Sequence, residues 1–328
     1  MLSIHNHILA VLLCVVTMIG WGSWANTLKQ SARRGWPFEL YYWDYALGMV
    51  VSCLAIAFTF GSHGTTGIGV VASIAAASKT SIIAALVSGL LYNLSSVLIV
   101  IATDLAGITI AFPVAVGLAV VIGTSVTYAQ NPSGRALPLF CGLGLLVGAM
   151  LLSTLASNMQ TGSARLRSLR GLFFAILSGC IMGFFYPRLA ASMAPGTESV
   201  LGLLTPYAAA AVFTAGFLIS NVIINSLLIW VRGESYARFF SGDFRIHLAG
   251  VAGGGIWMLA LIANLVAASV AGPAVSYALG QGATLVAAIW GVVFWKEFSG
   301  SAPKVYITLG LMFLSYTCGL VLIGAAAF

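Results

Sequence analysis

Charge is scarce in this sequence: Asp, Glu, Lys and Arg make up 6% of its 328 residues, and only 7 residues are acidic. A water-soluble domain ordinarily carries about four times that share of charge, so an ordinary globular protein is excluded. Metal and disulfide signatures are missing too. Cys14, Cys53, Cys141, Cys180 and Cys318 all fall inside apolar stretches without a CxxC pair, and they read as small buried hydrophobes. His5, His7, His63 and His247 are scattered with no HExxH, and neither Asp44 nor Asp104 sits in a catalytic motif. The sequence offers no nucleophile paired with a base and no metal cluster, so it reads as a non-enzyme that needs no cofactor.

What is present is apolar: 60% of residues are hydrophobic, and 37 glycines are spread through the apolar runs rather than gathered in loops. Mean hydropathy is +1.05. Ten apolar stretches can be drawn, at 7–29, 40–61, 80–103, 106–128, 136–156, 170–192, 201–231, 246–270, 272–296 and 303–326. About twenty residues of helix cross roughly 30 Å of hydrocarbon, so the expected fold class is an all-α polytopic membrane protein with ten transmembrane helices. The seventh stretch is too long for one straight crossing and is expected to tilt or emerge. The connections at Asp104 and at Ala271-Gly272-Pro273 are so short that spans 3 and 4, and spans 8 and 9, must be antiparallel neighbours. Gly144-x-x-x-Gly148 and Gly250-x-x-x-Gly254 are small-residue packing motifs.

The net charge of +7 would suggest nucleic acid in a soluble protein, but these cations lie between spans and act as topology signals. Lys29, Arg33, Arg34, Arg165, Arg167, Arg170, Arg232, Arg238, Arg245, Lys296 and Lys304 fall on one side; Lys79, Arg135 and Arg188 fall on the other. The positive-inside rule then puts both termini outside the cytoplasm, in a cell (inner) membrane. No Lys or Arg precedes the first span, unlike a cleaved signal peptide, so that span is expected to be retained.

Sliding the chain on itself by 165 residues lays Gly89 on Gly254, Leu94 on Leu259, Ala102 on Ala267, Ala106-Gly107 on Ala271-Gly272, Gly117 on Gly282 and Val121 on Val286. Aromatic Tyr92 falls on Trp257 and Phe112 on Tyr277. One short hairpin lands on the other. Five helices per half is an odd number, so two such halves, 1–160 and 161–328, would enter the membrane as inverted repeats. That arrangement puts a site at the interface of the halves near mid-membrane, as in secondary transporters.

Ile19-Gly20-Trp21-Gly22-Ser23-Trp24-Ala25, Ala32-Arg33-Arg34-Gly35 and Tyr41-Tyr42-Trp43-Asp44-Tyr45 together resemble the opening of the ureide permeases. Those proteins carry a Gly-Thr-Trp-Pro segment, an Arg-Arg-Gly turn and a Tyr-x-Asp-Tyr helix start; here Ala25 stands in place of the proline. Tyr92-Asn93, Gly107-Ile108-Thr109, Ala111-Phe112-Pro113 and Phe294-Trp295-Lys296-Glu297 are similar to the same branch of the drug/metabolite transporter superfamily, which includes glucose and rhamnose uptake proteins. The resemblance implies ten helices, a cavity lined by spans 1, 3, 4, 6, 8 and 9, and a small metabolite as cargo. Many members of the wider superfamily keep both termini in the cytoplasm, whereas the charge distribution here argues for the exterior.

The residues reach a compatible reading by themselves. Polar groups inside a span are costly and tend to face a cavity or one another. Asn93, Asn221, Asn225, Asn264 and Gln281 are such residues, and no charge accompanies them at mid-depth. Amides and aromatics suit a neutral polar solute whose hydroxyls or amides pair with Asn and Gln while its faces pack on rings. The substrate-binding candidates are Trp21, Trp24, Tyr92, Asn93, Trp257, Tyr277 and Gln281, with helix bridging or an interfacial belt as the plain alternatives. Trp290 and Trp295 read as interface anchors, Asp104 as a cap, and Pro113 and Pro187 as kinks.

Asp44 is an acid about one turn inside the second span, where burial favours the uncharged carboxyl. It is the proton-coupling candidate; an ion pair with Lys29, Arg33 or Arg34 is the alternative. The expected function is secondary uptake of a sugar, ureide, nucleoside or nucleobase, by a monomer or weak homodimer in the lipid bilayer, with an exporter or facilitative uniporter as the alternative.

Overall fold

The computed structural model describes residues 1, 3–63, 67–161, 168–195 and 200–328. Arg165 and Arg167 of the basic side lie outside the described residues, as does Glu198. Among the described residues, ten helices are long and apolar enough to cross a membrane: α1 (His7–Ala32), α2 (Phe38–Phe58), α3 (Lys79–Ala106), α4 (Ile110–Gln130), α5 (Ala136–Gln160), α6 (Leu169–Ala191), α7 (Pro206–Val231), α8 (Phe244–Ala271), α9 (Pro273–Phe294) and α10 (Pro303–Ala325). Large apolar side chains cover the outside of the bundle, with Leu137, Leu151, Ile223 and Val321 all strongly exposed. A water-facing surface would not tolerate that; this is a multi-pass membrane protein.

The elements differ from the sequence expectation where caps and breaks intervene. The seventh crossing begins only at Pro206, because the Thr205 side chain accepts from the Ala208 N–H and proline occupies the first turn. At 26 residues it is still longer than the hydrocarbon needs. Helix α1 continues to Ala32 with an interruption at Trp24, and α9 breaks at Gln281 and Gly282 and ends in a π-helical turn, Trp290–Phe294. Two short helices, Val70–Ala76 and Tyr236–Phe240, occupy connections and, at seven and five residues, are too short to show a period.

The two expected hairpins share one geometry. Helices α3 and α8 are both 28 residues long, and each ends at a glycine in the left-handed region. Gly107 has φ 87° and ψ 146°, and Gly272 has φ 83° and ψ 146°. Each glycine N–H donates to the carbonyl four residues back, Thr103 O at 2.9 Å and Ala268 O at 3.1 Å. A side chain at either position would strain the turn.

The main packing pairs are α3 with α6 and α1 with α8, α3 with α7 and α2 with α8, α4 with α6 and α1 with α9, and α5 with α10. Each pair has a counterpart five helices along the chain. The likeness extends to atoms. A Cβ on Gly48 would strike the Val251 carbonyl, and one on Gly216 would strike the Leu86 carbonyl. Gly254 is closed by the Tyr45 carbonyl and the Met49 N–H, and Gly89 by the Phe213 carbonyl and the Phe217 N–H. These four contacts repeat with offsets of 165 residues from α3 to α8 and 168 from α2 to α7. Thr17 Oγ1 donates to Ala260 O at 3.0 Å, and Ser178 Oγ donates to Ser95 O at 2.8 Å, again 165 residues apart on the accepting side.

Of the two packing motifs, Gly250 and Gly254 close against Asp44 and Tyr45 of α2. Gly144 and Gly148 do not pack closely; the α5–α10 contact runs instead through Gly142 and Gly319, each against the other's carbonyl.

Candidate functional site

Tyr92 and Trp257 are each the fourteenth residue of their 28-residue helices, so both stand at half depth. Their rings meet at 4.3 Å between centroids. Trp21 stacks on Trp257 at 5.8 Å, and Phe213 stacks on it at 6.0 Å. Tyr92 also touches Phe185, Phe213 and Phe217, and its hydroxyl shares a 2.9 Å hydrogen bond with the Tyr45 hydroxyl. Trp24 joins through Tyr45 at 5.2 Å, and Tyr277 through Phe185 at 6.2 Å and Tyr186 at 4.4 Å. Five expected aromatics therefore fall in one continuous cluster drawn from both ends of the chain.

Phe185, Phe213, Phe217, Tyr45 and Tyr186 join that cluster, as Tyr41 and Tyr42 do through Tyr45, and were missed by sequence reasoning as site residues. At the α2–α7 offset of 168 residues, which the 165-residue slide of the sequence does not give, Phe213 is the counterpart of Tyr45 and Phe217 that of Met49. Gln281 stands apart. It occupies the break in α9, half-buried, with no ring or side-chain hydrogen bond tying it to the cluster.

The asparagines divide into two kinds. Asn264 is fully engaged as a bridge: Tyr186 donates to its Oδ1 at 2.6 Å, its Nδ2 donates to Ser276 O at 2.8 Å, and Ser276 Oγ donates back to Asn264 O. Asn93 Nδ2 donates to Ser220 Oγ at 3.0 Å while its Oδ1 has no partner. Asn225 Nδ2 donates to Glu39 O at 2.9 Å, and both polar atoms of buried Asn221 are unpartnered.

Asp44 pairs with His247 of α8, whose Nδ1 lies 2.8 and 2.9 Å from the two carboxylate oxygens. None of the three expected cations reaches it. Lys29 pairs with Glu297, Arg34 with Asp243, and Arg33 stacks over Trp295 at 4.3 Å. The rings of Trp36 and Phe239 flank His247 at 5.6 and 4.9 Å. Asp104 likewise is no simple cap, since it pairs with Arg232 at the end of α7.

All of these ion pairs lie at the basic end of the bundle. There α9 is also tied to α1: Trp290 Nε1 donates to Ser23 Oγ at 2.9 Å and Trp295 Nε1 to Asn26 Oδ1 at 2.6 Å. At the opposite end a cavity of about 280 Å³ is lined by His7, Asn131, Ser133, Pro195, Ser269 and Pro273 among others. None of the ring-cluster residues lines it; the rings fill their own centre.

No family model matches the chain. It is 26% identical over 164 residues to ureide permease 2 of Arabidopsis thaliana, a stretch covering 48% of this chain and 41% of that protein. It is 25% identical over 170 residues to ureide permease 5 of the same plant, covering 49% and 41%. The matched stretch is thus less than half the length of either relative. A solved crystal structure superposes on 95% of this chain and 98% of its own with a TM-score of 0.57 at 16% identity, a likeness of fold.

Proposed function

We propose that this protein is a secondary transporter that takes up a small neutral polar metabolite by alternating access around the ring cluster. The observation that carries the reading is the meeting of Tyr92 and Trp257, equivalent positions of α3 and α8, at half depth between two similarly packed sets of five helices. The recurring glycine crossings support an inverted repeat with halves 1–160 and 161–328. Similarity to ureide permeases supports a small polar cargo.

In this reading Trp21, Trp24, Tyr92, Trp257 and Tyr277 contact the faces of the solute, while Asn93 and Gln281 hydrogen-bond it. The basic end faces the cytoplasm and is held shut by the α1–α9 ties, with the polar cavity opening to the exterior. A cytoplasm-active reporter fused after Phe328 should therefore be silent; activity there overturns the orientation.

Flux of radiolabelled sugars, ureides and nucleosides into proteoliposomes tests transport itself. Asn93→Ala and Gln281→Ala are each expected to weaken binding of the transported solute by about 1–3 kcal/mol while leaving the protein folded. Unchanged affinity in both variants would make them helix bridges.

A further inference from the structure

The ring cluster offers a solute many faces and few hydrogen bonds. We infer that the solute's polar group is held beside the rings, where α2, α3 and α7 meet, by Tyr42, Asn93 and Asn221. This site takes an uncharged group that carries hydrogen-bond donors, either hydroxyl or ring N–H. The inference rests on the transport reading for its role, but its chemistry is tested by binding alone.

Three amide atoms here have no partner, Asn93 Oδ1 and Oδ1 and Nδ2 of Asn221, and the Tyr42 hydroxyl has only Ser96 beside it. All three residues are at most 1% exposed. Their nearness follows from measured contacts. Asn93 Nδ2 donates to Ser220, the residue before Asn221. One turn beyond Asn221, Asn225 donates to the Glu39 carbonyl. Helices α2 and α7 run antiparallel, so one turn back along α7 to Asn221 is one turn forward along α2 to Tyr42. The Tyr42 ring lies 5.8 Å from Phe217, itself one turn before Asn221.

The fold does not require polarity there, because the equivalent crossing on the other side does without it. The offsets set by the glycine contacts carry Tyr42 to Ala210, Asn93 to Met258 and Asn221 to Cys53. All three are buried, and none has a side-chain nitrogen or oxygen. Thr214 completes that interface with its hydroxyl already satisfied by Ala210 O at 2.7 Å. One backbone crossing is thus packed with apolar and sulfur-bearing side chains, and its counterpart buries a phenol and two amides, the amides with open valences. Buried polar atoms left open cost stability, so a partner must repay them. Amide oxygens can only accept, and two of the three open amide atoms are oxygens, so the partner must carry donors, with an acceptor for Asn221 Nδ2.

Thermal stabilisation of the purified protein by hydantoin and by glucose tests the site, with 1,3-dimethylhydantoin and pentamethyl glucose as probes stripped of their donors. At least one donor-bearing probe should stabilise the wild type while its methylated partner does not; which one does so separates ring N–H from hydroxyl. Asn221→Leu, an apolar replacement of similar volume, should leave the melting temperature without ligand unchanged or raised and weaken that binding at least about tenfold. Tyr42→Phe should weaken it in the same direction. A lower ligand-free melting temperature with affinity retained in Asn221→Leu would assign the amide to helix bridging and overturn the inference. So would stabilisation of the wild type by sodium chloride that Asn221→Leu abolishes, which would mark a cation site. Failure of both donor-bearing probes overturns the donor-bearing class whether or not any solute is carried in the flux assay.

Discussion

Gly254→Val should prevent the α2–α8 crossing from closing, and Gly89→Val should do the same at α3–α7. At Gly254 an added Cβ would meet the Tyr45 carbonyl and the Met49 N–H; at Gly89 it would meet the Phe213 carbonyl and the Phe217 N–H. These are backbone atoms, which cannot swing aside as a side-chain tip can, so the helices must separate. Overpacking of a tight interface ordinarily costs about 1–3 kcal/mol, and a clash with rigid backbone belongs at or above the upper end. Without a hydrophobic drive between helices in lipid, close approach is most of what holds such a crossing together. Gly144→Val is the matched control, because nothing lies within 4 Å of a Cβ there. Melting temperature and the monodisperse fraction on size exclusion would report the result. Wild-type behaviour of Gly254→Val would show that the crossing is not close-packed in the membrane.

That contrast among glycines explains much of what the sequence could and could not convey. The ten crossings were legible because span length and the absence of charge are set by the bilayer, and hydrophobic length does not depend on tertiary contacts. The pairing of Ala106-Gly107 with Ala271-Gly272 was legible because a tight turn with positive φ demands glycine at one position. Which glycines pack was not. Gly144-x-x-x-Gly148 and Gly250-x-x-x-Gly254 have the same spacing, yet only the second is closed tightly by a neighbouring helix. Spacing defines a face but does not orient it.

The site divides in the same way. Trp21, Trp24, Tyr92 and Trp257, large rings toward the middle of their spans, come together in the bundle interior, and Tyr277 joins them from near the start of α9. Phe185, Phe213 and Phe217 escaped notice because a phenylalanine in a membrane helix is equally at home against lipid. The partner of Asp44 escaped for a different reason. Lys29, Arg33 and Arg34 are near it in sequence, but each is taken by a partner from another helix or connection, and His247 reaches the carboxyl from 203 residues away.

Asp44→Asn is expected to abolish accumulation of solute driven by an inward proton gradient while leaving exchange across the membrane intact. The carboxyl is buried where α2 crosses α8, with His247 as its hydrogen-bonded partner at 2.8 Å. Under the proposed alternating access, a rocking motion would part and rejoin that pair, and a proton on the carboxyl would be taken up and given back with it. Asparagine keeps the size and can still accept from the imidazole, but it carries no proton, so the cycle can run without drawing on the gradient. His247→Gln should act in the same direction and more weakly, because it leaves the acid in place. Counterflow into proteoliposomes, with and without an imposed pH difference, separates exchange from accumulation. Gradient-driven accumulation by a correctly inserted Asp44→Asn protein would remove the pair from coupling and leave it as a tie between α2 and α8.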